Sequence, residues 1–144
     1  MADTPTDLFL GGKWVPASSG GRFDVYDPST GDVIAAVADG TVEDAIAAVD
    51  AADAAAAGWA ATAPRARAEI LRSAFELMTA RKDELARLIS LENGKALTDA
   101  AGEVAYAAEF FRWYSEEAVR AEGTFMTAPS GANRILVVQQ PVGI

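Results

Sequence analysis

After four consecutive helical patterns, the chain carries one short apolar run, Ile135-Leu136-Val137-Val138. Three of its four residues are β-branched, and the run reads as a strand. Pro141 and Gly143 then read as a connector to something further on. The chain between residue 41 and this run offers no other strand pattern. A lone apolar strand is an exposed edge, and folded proteins pair or cover their edges. The partner of this strand has to be the N-terminal strands, another chain, or sequence beyond Ile144. No other feature limits the architecture as much.

The N-terminal strands come as two hairpins. Leu8-Phe9-Leu10, Gly11-Gly12 and Lys13-Trp14-Val15 form strand, two-residue turn and strand. Phe23 to Tyr26 alternates at period two, Asp27-Pro28-Ser29-Thr30-Gly31-Asp32 has the composition of a turn, and Val33 to Val37 reads as the returning strand. Thr41 is then placed to cap a helix with Glu43 and Asp44 in its first turn. Val42, Ile46, Val49, Ala52, Ala56 and Trp59 recur at helical spacing, predicting a helix over 42–60. Pro64 opens a second helix with Ile70, Leu71, Ala74, Phe75 and Met78 on one face. Asp83-Glu84 starts a third, with Leu85, Leu88 and Ile89 inward and Gly94 just past its end. A fourth spans about 98–121, with Val104, Ala107, Ala108, Phe111 and Ala118 in one stripe, widened by Phe110, Trp113 and Tyr114. Residues 124–133 read as a loop. The fold class is therefore α+β: N-terminal hairpins, four helices and one C-terminal strand.

Composition excludes several functions. The 144 residues suffice for one domain with a real core. They are 51% hydrophobic and 23% charged, with mean hydropathy +0.10 and no apolar run near the length of a membrane span. The first residues lack a basic region followed by an apolar one, so no signal peptide is expected and the expected compartment is the cytoplasm. Twelve basic against 21 acidic residues leave a net charge of −9. Phosphate backbones and anionic membranes repel such a chain, so neither nucleic acid nor membrane is an expected partner. There is no cysteine and no histidine. Disulfides, Cys/His zinc sites, a thiol nucleophile and an imidazole base are thereby absent from this sequence.

Four stretches have the look of chemistry. Ser90-Leu91-Glu92-Asn93-Gly94-Lys95 sets a carboxylate, an amide and an ammonium at a helix end, but a glycine-capped terminus accounts for the same residue types. Asp27 to Asp32 has too few oxygen ligands at alternating positions for a calcium loop and reads as a turn. Gly102-Glu103 lies inside a helix, where a glycine costs roughly 1 kcal/mol against alanine and marks close packing or access for a ligand. Phe110-Phe111-Arg112-Trp113-Tyr114 is either helix core or the lining of an apolar passage. Asp99 and Glu103 are four residues apart, which by itself assigns no acid or base. No set of these residues amounts to an active site.

The order of the pieces is more informative than any one of them. Phe9-Leu10-Gly11-Gly12-Lys13-Trp14, Tyr26 to Asp32, Ala51 to Trp59, Arg65-x-Arg67 with Ile70-Leu71, Leu91 to Lys95, Gly102 to Val104 with Phe110-Phe111-x-Trp113, and Gln140-Pro141-Val142-Gly143 follow one another in a known sequence. Together they resemble the N-terminal segment of the NAD(P)-dependent aldehyde dehydrogenases over nearly the whole chain. Ser90 to Gly123 and Arg134 to Ile144 are most similar to the succinate-semialdehyde type.

The resemblance implies a fragment of the larger α/β fold of that family. Residues 1–123 would pack on a nucleotide-binding core, 124–140 would belong to an oligomerisation arm of a dimer or tetramer, and 141–144 would lead into the catalytic half. It implies NAD or NADP in the parent enzyme, with no catalytic and no cofactor-binding residue in this segment and none bound by it alone. The cysteine nucleophile, glutamate base and cofactor-binding lysine would all lie beyond it. The implied partner is the rest of the dehydrogenase chain. It also implies a monovalent cation near Glu92, and an aldehyde tunnel bordered by Glu103, Phe110 and Phe111. The rival from another class is a non-catalytic helical module that binds a partner by strand addition. Such a module would be monodisperse and melt cooperatively, whereas a fragment exposes apolar faces and self-associates.

Overall fold

The computed structural model describes residues 4–144; the first three residues of the segment assigned to 1–123 lie outside the described residues. Strands β1 (Leu8–Leu10) and β2 (Lys13–Val15) form one antiparallel hairpin, and β3 (Arg22–Tyr26) and β4 (Val33–Ala38) a second. Four helices follow: α1 (Val42–Ala61), α2 (Pro64–Ala80), α3 (Lys82–Asn93) and α4 (Leu97–Glu117). The chain closes with β5 (Thr124–Thr127) and β6 (Arg134–Val137).

The last pair corrects an expectation. The stretch after Gly123 contains a strand as well as a loop, and the final strand is not alone. Thr124 faces Val137 and Thr127 faces Arg134 in an antiparallel register. Thr124-Phe125-Met126-Thr127 is too short to announce itself by periodicity, yet two threonines and a phenylalanine suit a pleated surface. Gly123 makes the approach possible: a Cβ there would run into the Val137 carbonyl. All eight residues of the two strands are exposed, so the hairpin satisfies backbone groups without contributing a core.

The core lies among α2, α3 and α4 and is built from small residues. Ala86 and Ala100 are 0% exposed, Val104 packs with them, and Leu85, Ile89 and Ala101 surround the cluster. Ala68 and Ala108 are also buried. Alanine at the contact points lets helix backbones come close. The expected stripe of α4 is inward at Val104 and Ala108, and Ser115 completes it, its hydroxyl donating to the Arg112 carbonyl at 2.6 Å. Phe111, placed in the same stripe by spacing, is 37% exposed. Ile70, counted on the inner face of α2, is more than half exposed.

Helix α1 is a different case. Val42, Ile46, Val49 and Trp59 all stand more than half exposed, and the one buried residue of the helix is Asp44. The Asp44 carboxylate accepts from the Thr41 backbone N–H at 2.9 Å, while its own N–H donates to the Thr41 hydroxyl at 3.2 Å, closing a capping box. It also accepts from the Ser18 N–H at 3.1 Å, which ties the loop after the first hairpin to the start of the helix. These donors, the backbone N–H of Thr41 first and that of Ser18 next, hold the Asp44 carboxyl below its ordinary value. The two N-terminal hairpins are joined in turn by Arg22, whose guanidinium reaches Asp7 at 2.8 Å and the Ala36 carbonyl at 2.7 Å.

Candidate functional site

Two motifs that are far apart in sequence meet at the end of α3. Gly94 closes that helix in the left-handed region, with φ +74° and its N–H donating to the Ser90 carbonyl at 2.9 Å. A Cβ at Gly94 would lie 2.9 Å from Cγ of Pro28. The turn Asp27–Asp32 therefore rests directly on the helix end. That turn is fixed internally: Asp27 accepts from the Ser29 hydroxyl at 2.6 Å and the Ser29 N–H at 2.8 Å, and these bonds hold its carboxyl below the ordinary value. On the other side of Gly94, the Ser90 hydroxyl donates to the Lys95 carbonyl at 2.7 Å. The Lys95 ammonium is paired with Glu103 across the connector from α3 to α4.

This geometry sorts the expected site residues. Glu103 serves as the partner of Lys95. Glu92 lies exposed in the last turn of α3, at the negative end of the helix dipole. Among the described residues, no group of three or more His, Cys, Asp or Glu side chains is gathered to hold a metal ion.

The face of α4 turned away from its buried Val104, Ala108 and Ser115 carries the aromatic residues. Phe110 shares a concavity of about 310 Å³ with Tyr106, Glu109, Trp113 and Tyr114. Tyr106 meets Phe110 edge to face, with ring centroids 5.0 Å apart and an interplanar angle of 87°. Phe111 does not line this concavity. Tyr106 and Glu109 were not picked out by sequence reasoning. Tyr106 lies four residues before Phe110 and Glu109 four before Trp113, and that spacing was the signal for both.

Among the described residues, all three sheets are two-stranded and antiparallel. A dinucleotide cradle is built where a parallel strand turns into a helix, and none is formed here. No helix among the described residues is long and apolar enough to cross a membrane.

What this arrangement belongs to follows from its likeness to other proteins. Residues 14–144 match the aldehyde dehydrogenase family, and the chain belongs to that family. Over 111 residues it is 58% identical to the succinate-semialdehyde dehydrogenase of Paenarthrobacter nicotinovorans, covering 77% of this chain and 25% of that protein. It is 43% identical to the human mitochondrial succinate-semialdehyde dehydrogenase, over 96% of this chain and 26% of the relative. A crystal structure of an NADP-dependent enzyme from E. coli superposes with TM-score 0.91 at 38% identity, over 94% of this chain and 28% of that one. The chain thus spans about a quarter of the length of the relatives it matches, and its fold is that of part of an aldehyde dehydrogenase.

Proposed function

We propose that the chain is the N-terminal quarter of an enzyme that oxidises succinate semialdehyde to succinate with NAD or NADP. The observation that carries the substrate is the 58% identity to a succinate-semialdehyde dehydrogenase. In this reading residues 1–123 pack on the nucleotide-binding core, 124–140 form part of an oligomerisation arm in a dimer or tetramer, and 141–144 lead into the catalytic half. The chain has no cysteine, and the described residues form no parallel strand leading into a helix; in this reading the thiol nucleophile and the hydride acceptor belong to the rest of the enzyme.

The work of this segment is then to shape and to pack. The aromatic face of α4 borders the aldehyde passage, with Phe110 in its wall. The Lys95–Glu103 pair sets the junction from which α4 departs. A monovalent cation at Glu92 would sit against the carbonyl end of α3. The uncovered face of α1 is the surface on which the nucleotide-binding core rests. A cytoplasmic location is not part of the proposal, because the human relative is named as mitochondrial.

The test is an assay of the full-length enzyme with succinate semialdehyde, acetaldehyde and butanal, each with NAD and with NADP. The expected result is a kcat/KM at least tenfold higher for succinate semialdehyde, and no NAD(P)H formed by the 144-residue chain alone. A preference for either uncharged aldehyde sinks the substrate; turnover by the chain alone sinks the division of labour.

A further inference from the structure

The wall of the α4 concavity is aromatic on Tyr106, Phe110, Trp113 and Tyr114, and its one charged side chain is Glu109. A single carboxylate in such a wall fixes the sign of the local field, and Glu109 is about half exposed, so that field is screened by salt. Glu109 is not left to act alone. The Arg112 guanidinium lies 2.7 Å from its Oε2. Arg112 is itself held from two further directions. Its guanidinium lies over the Phe75 ring of α2, 5.7 Å from the centroid, and its backbone carbonyl accepts the buried Ser115 hydroxyl. The packing of α4 on α2 therefore decides where this cation stands, and it stands against the one carboxylate of the concavity.

We propose that Arg112 is a specificity-determining residue: by neutralising Glu109 it allows the aromatic passage to admit a short aldehyde that carries a carboxylate at its far end. The inference rests on the reading above, in which α4 borders the aldehyde route. With Glu109 unpaired, an anionic aldehyde entering the concavity would meet a like charge, while an uncharged aldehyde of the same length would meet none. The effect of the pair is thus a discrimination between substrates and leaves the chemistry of oxidation untouched.

The experiment compares succinate semialdehyde with butanal in the full-length enzyme, using Arg112→Gln, Arg112→Lys, Glu109→Gln and the double variant Glu109→Gln/Arg112→Gln. Arg112→Gln is expected to raise KM for succinate semialdehyde roughly three- to fivefold at low salt, with kcat and the butanal KM unchanged. The increase should shrink as ionic strength approaches about 0.5 M. Arg112→Lys keeps the charge and should stay near the parent enzyme. In the Glu109→Gln background, Arg112→Gln should no longer raise KM. If Arg112→Gln fails to fold, Glu109→Gln alone still decides: it should lower KM for succinate semialdehyde roughly threefold and leave butanal unchanged. An equal change for both substrates, a fall in kcat for both, or no change in either overturns the proposal. If the parent enzyme turns over butanal but not succinate semialdehyde, the functional reading has failed. The role of Arg112 is then read from glyoxylate against acetaldehyde.

Discussion

Helix α1 is richer in apolar residues than the α2–α3–α4 group, yet it is the group that packs and α1 that stands exposed. In the group, alanines at positions 68, 86, 100 and 108 are buried, and the helices hold one another through them. In α1, Val42 is 73% exposed, and Ile46, Val49 and Trp59 stand out beside it. That helix is placed by hydrogen bonds at its first turn, through Asp44, Thr41 and Ser18. Small residues mark where this segment packs on itself. The large residues it exposes mark where, in the proposed enzyme, it packs on something else.

Five changes break or sharpen that contrast. The largest effect is expected in the self-packed group. Ala86→Leu forces a branched side chain into a site with no free space, and should cost about 3 kcal/mol in the denaturant unfolding of the full-length enzyme. A change under about 1 kcal/mol would mean the alanine contact is slack. Next comes Ile46→Asp on α1. It should cost about 2 kcal/mol in the full-length enzyme, where the face is covered, and less than about 0.5 kcal/mol in the 144-residue chain. Equal costs in the two would show that nothing rests on α1.

Thr41→Ala removes the hydroxyl that caps α1 and should cost about 1 kcal/mol. The partner carboxylate gives this contact a pH dependence. The folded pKa of Asp44 lies below its ordinary 3.8, so its contribution is present above that value and is lost as pH falls through the folded pKa. Acid titration of stability should accordingly be flatter below about pH 4 in Asp44→Asn than in the parent. The smallest effect belongs to Lys95→Met. The pair with Glu103 is partly solvated, 35% and 47% exposed, and about 0.5 kcal/mol is expected by the same unfolding measurement.

The local elements were legible in the sequence. Gly11-Gly12 and Asp27–Gly31 announced two hairpins, Pro64 the start of α2, and Gly94 the end of α3, because each residue type answers a backbone requirement within a few positions. Strand β5 was not legible, since four residues without alternation carry no period. The tertiary meetings were hidden for a different reason. Ser18 and Asp44 are 26 residues apart, and neither residue type names the other as its partner. Pro28 against Gly94 is a fit between two turns, each of which reads completely by itself. Of the aromatic pair at 110 and 111, Phe110 lines the concavity and Phe111 does not. Each step along a helix turns about 100°, so the run from Phe110 to Tyr114 winds once round α4 and only part of it lines one face.

Every strand described here pairs with the strand next to it in sequence. The consequence is temporal. As the chain leaves the ribosome, each hairpin can close once its second strand has emerged, and α1 can be capped as soon as Asp44 follows Thr41. The longest wait is that of the turn at Pro28 for Gly94. The first quarter of such an enzyme can hold its own shape while later sequence is still being made, and the first surface that later sequence meets is already in place.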